Sequence, residues 1–454
     1  MKDRIELLEG NITKALTKLA LPIMATSLIQ MAYNMIDMIW IGRVGAFAVT
    51  AVGTASFSVW FGKGIAQMPK IGGQVKLGQA IGARQHEKAS RIISVTFQIM
   101  IFFTVLYIAL LTFFNHEIIG FFNLNSIQTI KAAENYLRII SFGIVFSFFN
   151  MVVTGLLTAS GNSKSPFRAN TIGLMINIIL DPILIFGLLG FDSLGVEGAA
   201  IATVFAQGIV SLVFLRELIL DKTIFIDINL LKLLPLENYN SVLKIGVFSS
   251  IQTMGFSTVS MIIARFVANF GDTSIAIQRV GSNIESISWM TADGFAASLN
   301  AFIAQNYGNK DLDRCHRGYR SGLKIMALWG IFTTIFIYFG SPYIFQLFLP
   351  DPSVLNDGVV YLKIVAISQL FMCVEIITGG AFSGYGNTKT PSAISFIFTV
   401  ARLPMAYVLV ELLNSVIGIW WAITMSSIIK GLLTFTLFII YERKISQNFK
   451  KDFA

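Results

Sequence analysis

The sequence predicts an all-α integral membrane protein: twelve transmembrane helices forming two parallel six-helix repeats, or lobes, around a central cleft. Three observations carry that prediction. Of 454 residues, 55% are hydrophobic and 13% charged, whereas a soluble domain carries about a quarter charged residues. Long apolar runs recur along the chain, each close to the roughly 20 residues that a helix needs to cross a bilayer. Three short motifs also occur twice, each pair separated by close to half the chain, as a duplicated half-chain requires.

The runs can be taken in order. Span one (17–41) follows Lys14, has Lys18 at its start and contains Pro22 and Asp37. Span two (47–69) contains Lys63 and leads into 78-GQAIGARQ-85. Span three (92–114) follows the basic loop, and span four (137–159) ends in 159-ASGNSKSP-166. Span five (167–190) holds Asn177, Asp181 and Pro182, and span six (198–219) ends the first half. Spans seven (245–269), eight (280–304) and nine (324–347) follow, with 304-AQNYGNKD-311 after the eighth. Span ten (359–384) runs into 384-GYGNTKTP-391, and spans eleven (392–412) and twelve (415–441) complete the chain. Unbroken runs of this length fit helices and not the alternating strands of a barrel.

The third repeated pair is 16-LTKLALPI-23 with 242-VLKIGVFS-249. Six spans per half return each half to its starting side, so the repeats are parallel, as in alternating-access transporters. The expected division is an N-terminal lobe at 1–220, a polar linker at 221–240 and a C-terminal lobe at 241–454.

Charge placement sets orientation. Lys2, Arg4, Lys14 and Lys18 cluster at the start of the chain, and Lys76, Arg84, Lys88 and Arg91 separate spans two and three. Lys310, Arg314, Arg317, Arg320 and Lys324 separate spans eight and nine, and Arg443, Lys444, Lys450 and Lys451 follow span twelve. The loops at 190–198 and 349–358 contain no Lys or Arg. This pattern puts both termini in the cytoplasm. It explains the net charge of +9 without a nucleic-acid partner. The lipid bilayer and small molecules are the expected partners, and no protein partner is expected. The first apolar run is too long for a cleavable signal. Cys315 and Cys373 suggest no disulfide framework, and the three histidines show no metal spacing. A phosphate-binding GxxxxGK[ST] loop is absent. No cofactor and no enzymatic activity are expected.

Ionisable residues at membrane depth are costly, about 2.5–3.5 kcal/mol each on insertion scales, and usually functional. Asp181 and Asn177 are one i,i+4 step apart and share a helix face. Pro182 has no N–H, which frees the carbonyl of Ile178. Such oxygen-rich groups suit a small cation or a proton. Counting from Lys18 and Arg168 places Asp37 and Asp181 in the outer half of the bilayer, and Tyr136 and Thr203, near the outer starts of spans four and six, lie toward the same side. Gln30, Asn34, Asn150 and Thr154 serve either as cleft groups or as interhelical bonds. In the second half Glu375 matches Asn150, with Glu285 and Asp293 in span eight and Arg265, Arg279 and Arg402 as counter-charges. Glu375 either pairs within its lobe or faces a cationic substrate. Lys63 is an unusual charge in span two.

Together these features resemble the multidrug and toxic compound extrusion (MATE) transporters, and within them the DinF-like branch. The resemblance rests on Pro22 and Asp37 in 20-ALPIMATSLIQMAYNMIDMIWIG-42, on 53-GTASF-57 and on 177-NIILDP-182. In the second half it rests on 279-RVGSNIESISWM-290, 304-AQNYGNK-310, 386-GNTKTP-391 and 402-RLPMAY-407. It implies efflux of organic, cationic compounds in antiport with H⁺ or Na⁺. It also implies a cation site in the first lobe at Asp37, Asn177, Asp181 and Thr203, with Tyr136 lining it. Pro22 matches a proline associated with bending of span one. Gln252 stands where another branch has an acid, and Lys63 has no counterpart in the family pattern. A flippase for a lipid-linked oligosaccharide is the alternative, and a basic cleft with Lys63, Arg265 and Arg402 would distinguish it.

Overall fold

The structure is a computed structural model. It describes residues 4–124, 126–221, 223–225, 228–348 and 352–452, with the side chains of 34, 272, 348, 352, 353 and 448–452 excluded. Fifteen helices and no strands occur among the described residues. In the first half these are α1 (Ile12–Val44), α2 (Ala46–Gly82), α3 (His86–Phe113), the short α4 (Asn115–Gly120), α5 (Ile127–Ala159), α6 (Lys164–Phe186) and α7 (Gly195–Leu220). The second half has α8 (Leu236–Ala268), α9 (Asp272–Gly308), α10 (Leu312–Phe348), α11 (Pro352–Ala366), α12 (Gln369–Gly384), α13 (Lys389–Val400), α14 (Arg402–Leu413) and α15 (Ile417–Asp452).

Twelve spans emerge once α11 joins α12 and α13 joins α14. Among the described residues nine helices are long and apolar enough to cross a bilayer, and the α11–α12 pair, bent by 44°, makes a tenth. The other two spans, α2 and α9, are each 37 residues long and are not among those nine. Several helices outrun the apolar stretches that announced them. Apolarity marks only the part solvated by lipid, while the hydrogen-bonded ladder continues beyond it. The bend after Ala366 leaves the Val365 carbonyl to be taken by Ser368 Oγ at 2.8 Å and Gln369 Nε2 at 3.1 Å. At Ala401 the break precedes Pro404, whose missing N–H leaves the carbonyl one turn earlier unbonded.

Duplication extends to the backbone. Gly45 and Gly271 cap α2 and α9 with φ of 141° and 97°. Arg84 and Lys310, equivalent positions of the two halves, both turn the chain with positive φ, 55° and 62°. Gly161 (φ 80°) and Gly386 (φ 89°) lead the two GN[ST]K[ST]P turns. In each turn the next residue holds the helix start: Asn162 Oδ1 accepts from the Ser165 amide at 3.1 Å, and Asn387 Oδ1 from the Thr390 amide at 3.3 Å. Side-chain oxygens satisfying these first amides are what start a helix there.

Two compact units result. Unit 1 comprises 1–5 and 25–250; unit 2 comprises 6–24 and 251–454. Both α1 and α8 therefore divide between units, after Met24 and after Ser250, in the same register that pairs Arg84 with Lys310. In unit 1, α2 packs on α3 and α5, and α7 packs on α5 and α6. Unit 2 repeats the scheme, with α9 on α10 and α12, and α15 on α12, α13 and α14. The segment joining α7 to α8 docks on α3: Gln98 Nε2 donates to the Leu230 and Lys232 carbonyls at 3.0 Å, and Tyr239 donates to Gln98 Oε1 at 2.6 Å.

Lipid supplies no hydrophobic drive between helices, so close backbone approach matters. A β-carbon on Gly246 would lie 2.0 Å from the Met68 carbonyl oxygen. Gly246→Ala is expected to destabilise the protein by about 1–3 kcal/mol through overpacking, seen as a lower melting temperature of the detergent-purified chain.

Candidate functional site

Four helices of unit 1 bring polar side chains to one end of the bundle. Asp37 lies near the end of α1 and Asp181 near the end of α6. Tyr136 lies near the start of α5 and Thr203 near the start of α7. At about 1.5 Å per residue all four sit within about 14 Å of their helix ends. Asp181 is 0% exposed, Asn177 1% and Tyr136 6%.

Asn177 Nδ2 donates to Asp181 Oδ1 at 3.1 Å, across the i,i+4 step the sequence predicts. The Asp37 and Asp181 side chains lie close enough to act on one another. Ionised carboxylates only accept hydrogen bonds, so the two could bond to each other only through a proton held between them. Asp37 Oδ1, Asp181 Oδ2 and Asn177 Oδ1 are buried with no donor among the described residues. Buried polar atoms in folded proteins are nearly always satisfied. Three unsatisfied oxygens on two neighbouring helices could therefore hold a proton or a hard cation. The oxygen-only donor set suits neither zinc nor copper, and no cluster of three His, Cys, Asp or Glu occurs among the described residues.

The Tyr33 hydroxyl lies 3.1 Å from Thr203 Oγ1, and Tyr33 and Tyr136 both lie within electrostatic range of the two carboxyl groups. Tyr33 is absent from the sequence-based candidates. It sits one i,i+4 step before Asp37, so the face rule that joins Asn177 to Asp181 would have found it.

Other candidates lie elsewhere. Asn150 is an interhelical bond: its Nδ2 donates to Gln207 Oε1 at 2.9 Å, and its Oδ1 accepts from Ser211 at 2.8 Å. Thr154 Oγ1 donates to the Asn150 carbonyl at 2.7 Å. Gln30 is exposed, and the Asn34 side chain lies outside the described residues. Gln252 Oε1 accepts from Ser392 at 2.8 Å. Pro22 and Pro182 sit inside unbroken helices, Pro22 just before α1 passes between units.

Of the two readings of Glu375, the structure supports pairing. Lys430 Nζ lies 3.2 Å from Glu375 Oε2, both side chains nearly buried. Arg402 acts electrostatically on Glu375 and Glu285 and donates to Ser426 at 2.7 Å and Ser427 at 3.1 Å. Tyr361 donates to Glu285 at 2.7 Å. Arg265 and Arg279 are exposed. Lys430 was missed because a single base inside an apolar run gives no sign of its partner. In the register that pairs Asn162 with Asn387, Arg402 corresponds to Asn177 and Ala406 to Asp181. Unit 2 thus holds a permanent cation where unit 1 leaves oxygens open.

A duplicated six-helix membrane bundle with an open carboxyl pair in one unit has the construction of a membrane transporter. The chain belongs to the MatE family, the MATE transporters, whose family model matches residues 22–183 and 249–408, once in each half. It is 27% identical over 438 residues to the "Probable multidrug resistance protein NorM" of Thermotoga maritima, covering 94% of this chain and 92% of that protein. It is 23% identical over 443 residues to the "FAD transporter" of Shewanella oneidensis, covering 96% of each. Its fold matches a crystal structure of MATE in the bent conformation with a TM-score of 0.90 at 22% identity, over 98% of this chain and 99% of that one.

Proposed function

We propose that this protein is a secondary active multidrug efflux transporter, exporting organic, cationic compounds in antiport with H⁺ or Na⁺ by alternating access. The observation that carries the reading is the neighbouring Asp37 and Asp181 carboxyl groups with their unsatisfied buried oxygens. Entry of the ion neutralises the pair and alters what holds α1 beside α6. Because α1 runs through Pro22 into the other unit, the change at Asp37 can be transmitted along it. A ligand shifts a conformational equilibrium only by its differential affinity for the two states, and a carboxyl pair that changes partners supplies that difference. Tyr33, Tyr136 and Thr203 complete the surroundings of the ion, and the name of the Thermotoga relative agrees with the transported class.

The first-unit carboxyl pair and Gln252 in α8 support the DinF-like branch. The chain acts in the cell membrane with both termini in the cytoplasm, as its basic loops require. A flippase is less favoured: of the three bases its cleft would use, Lys63 and Arg265 are exposed, but Arg402 is committed to the acids of its own unit.

The test is counterflow of a fluorescent cationic dye in proteoliposomes under imposed Na⁺ or pH gradients. Dye accumulation against its own gradient, driven by at least one of the two ions, is the expected result. Dye movement indifferent to both overturns antiport.

A further inference from the structure

Lys63 has no role in the site described above. It lies near the middle of α2, about 25 Å or more from either end of that helix. With a hydrocarbon core about 30 Å thick, it is near the middle of the membrane. Its side chain is exposed, and no carboxylate among the described residues acts on it. An unpaired ammonium facing lipid at this depth is strongly disfavoured, and a side chain so placed cannot snorkel to the interface. The face of α2 that carries it therefore borders water or a ligand.

That face is mixed in character. Trp60, one turn earlier, is 57% exposed. Gln67, one turn later, keeps its Oε1 buried without a hydrogen-bond partner among the described residues. Steps of i,i+3 and i,i+4 put Trp60, Lys63 and Gln67 side by side. The duplication shows that the fold does not require this charge. In the register that pairs Arg84 with Lys310, and so α2 with α9, Lys63 corresponds to Trp289, itself 40% exposed. An aromatic residue fills the same place in the other unit, so the lysine has a purpose local to unit 1.

We propose that Lys63, Trp60 and Gln67 form a subsite for an aromatic oxyanion, so that the transported compounds are amphoteric and carry a carboxylate or phosphate beside an aromatic ring. Lys63 supplies the counter-charge, Trp60 a face for the ring, and Gln67 a hydrogen-bonding amide. This inference rests on the export of organic compounds proposed above and narrows their class.

The test uses a matched pair of dyes: a zwitterionic rhodamine with a free carboxylate and its methyl ester, a simple cation. Fluorescence anisotropy on the detergent-purified chain reads binding separately from ion-driven flux. Lys63→Met is expected to weaken binding of the free acid by about tenfold or more, the loss of a charge-assisted contact, and to leave the ester within about twofold. Lys63→Arg should keep the preference. A phosphate-bearing dye tested alongside distinguishes the two oxyanions. Equal effects on acid and ester, no effect on either, or no binding of the free acid to the native chain overturns the subsite. Selective loss of acid binding, in a chain whose dye flux ignores both ion gradients, would instead keep the subsite and overturn antiport.

Discussion

Asp181→Asn and Asp37→Asn are each expected to reduce gradient-driven dye export by about a hundredfold or more while leaving the fold intact. The amide has nearly the shape of the carboxyl group, and its N–H can donate to the remaining carboxylate. The contact between α1 and α6 therefore survives without a shared proton. What disappears is exchange: an amide neither binds and releases a proton nor offers a charged oxygen to a cation. A ligand without differential affinity shifts no conformational equilibrium, and a hundredfold loss corresponds to about 2.7 kcal/mol of forfeited differential binding. Proteoliposome counterflow measures the loss, and dye binding to the purified variants should change little. Unchanged ion coupling in both variants would move the ion site away from this pair.

Lys430→Met should be among the most destabilising single changes in unit 2. It leaves Glu375, 9% exposed, without the ammonium 3.2 Å away. Removing one partner of a buried pair typically costs about 3–5 kcal/mol, because the other charge stays buried. Arg402 acts on the same carboxylate but is already bonded to Ser426 and Ser427, so it offsets only part of the loss. The double variant Lys430→Met with Glu375→Gln removes both charges and should recover most of the stability, since neutral replacement of a buried pair is often nearly free. Thermal melting in detergent compares the three proteins. A Lys430→Met melting temperature equal to the native one would show that the pair holds nothing together.

The repeat was legible because it is written in residues whose backbone role is unusual. Gly161 and Gly386 take left-handed conformations, and Asn162 and Asn387 cap the helices that follow. Such positions tolerate few residue types, so duplication left them recognisable while the apolar faces diverged. The Asn177–Asp181 contact was legible for a different reason: both residues lie on one helix, and helical periodicity alone makes them neighbours. Tyr33 was open to the same argument. The bend after Ala366 was not, because no proline marks it and the hydrogen bonds that stabilise it come from Ser368 and Gln369, residues common in straight helices.

The sequence by itself determined the solvent, the count of spans, the parallel duplication and the shared depth of four polar residues. Each follows from composition or from distances along a single helix. Only the tertiary structure decided which groups touch: that Asp37 meets Asp181, that Asn150 is consumed by Gln207 and Ser211, and that Glu375 is neutralised by Lys430. Those contacts join residues on different helices. In a bilayer, where apolar faces have no strong reason to prefer one neighbour over another, such pairings are settled by close packing and by the need to satisfy buried polar atoms. Neither is visible until the helices are assembled.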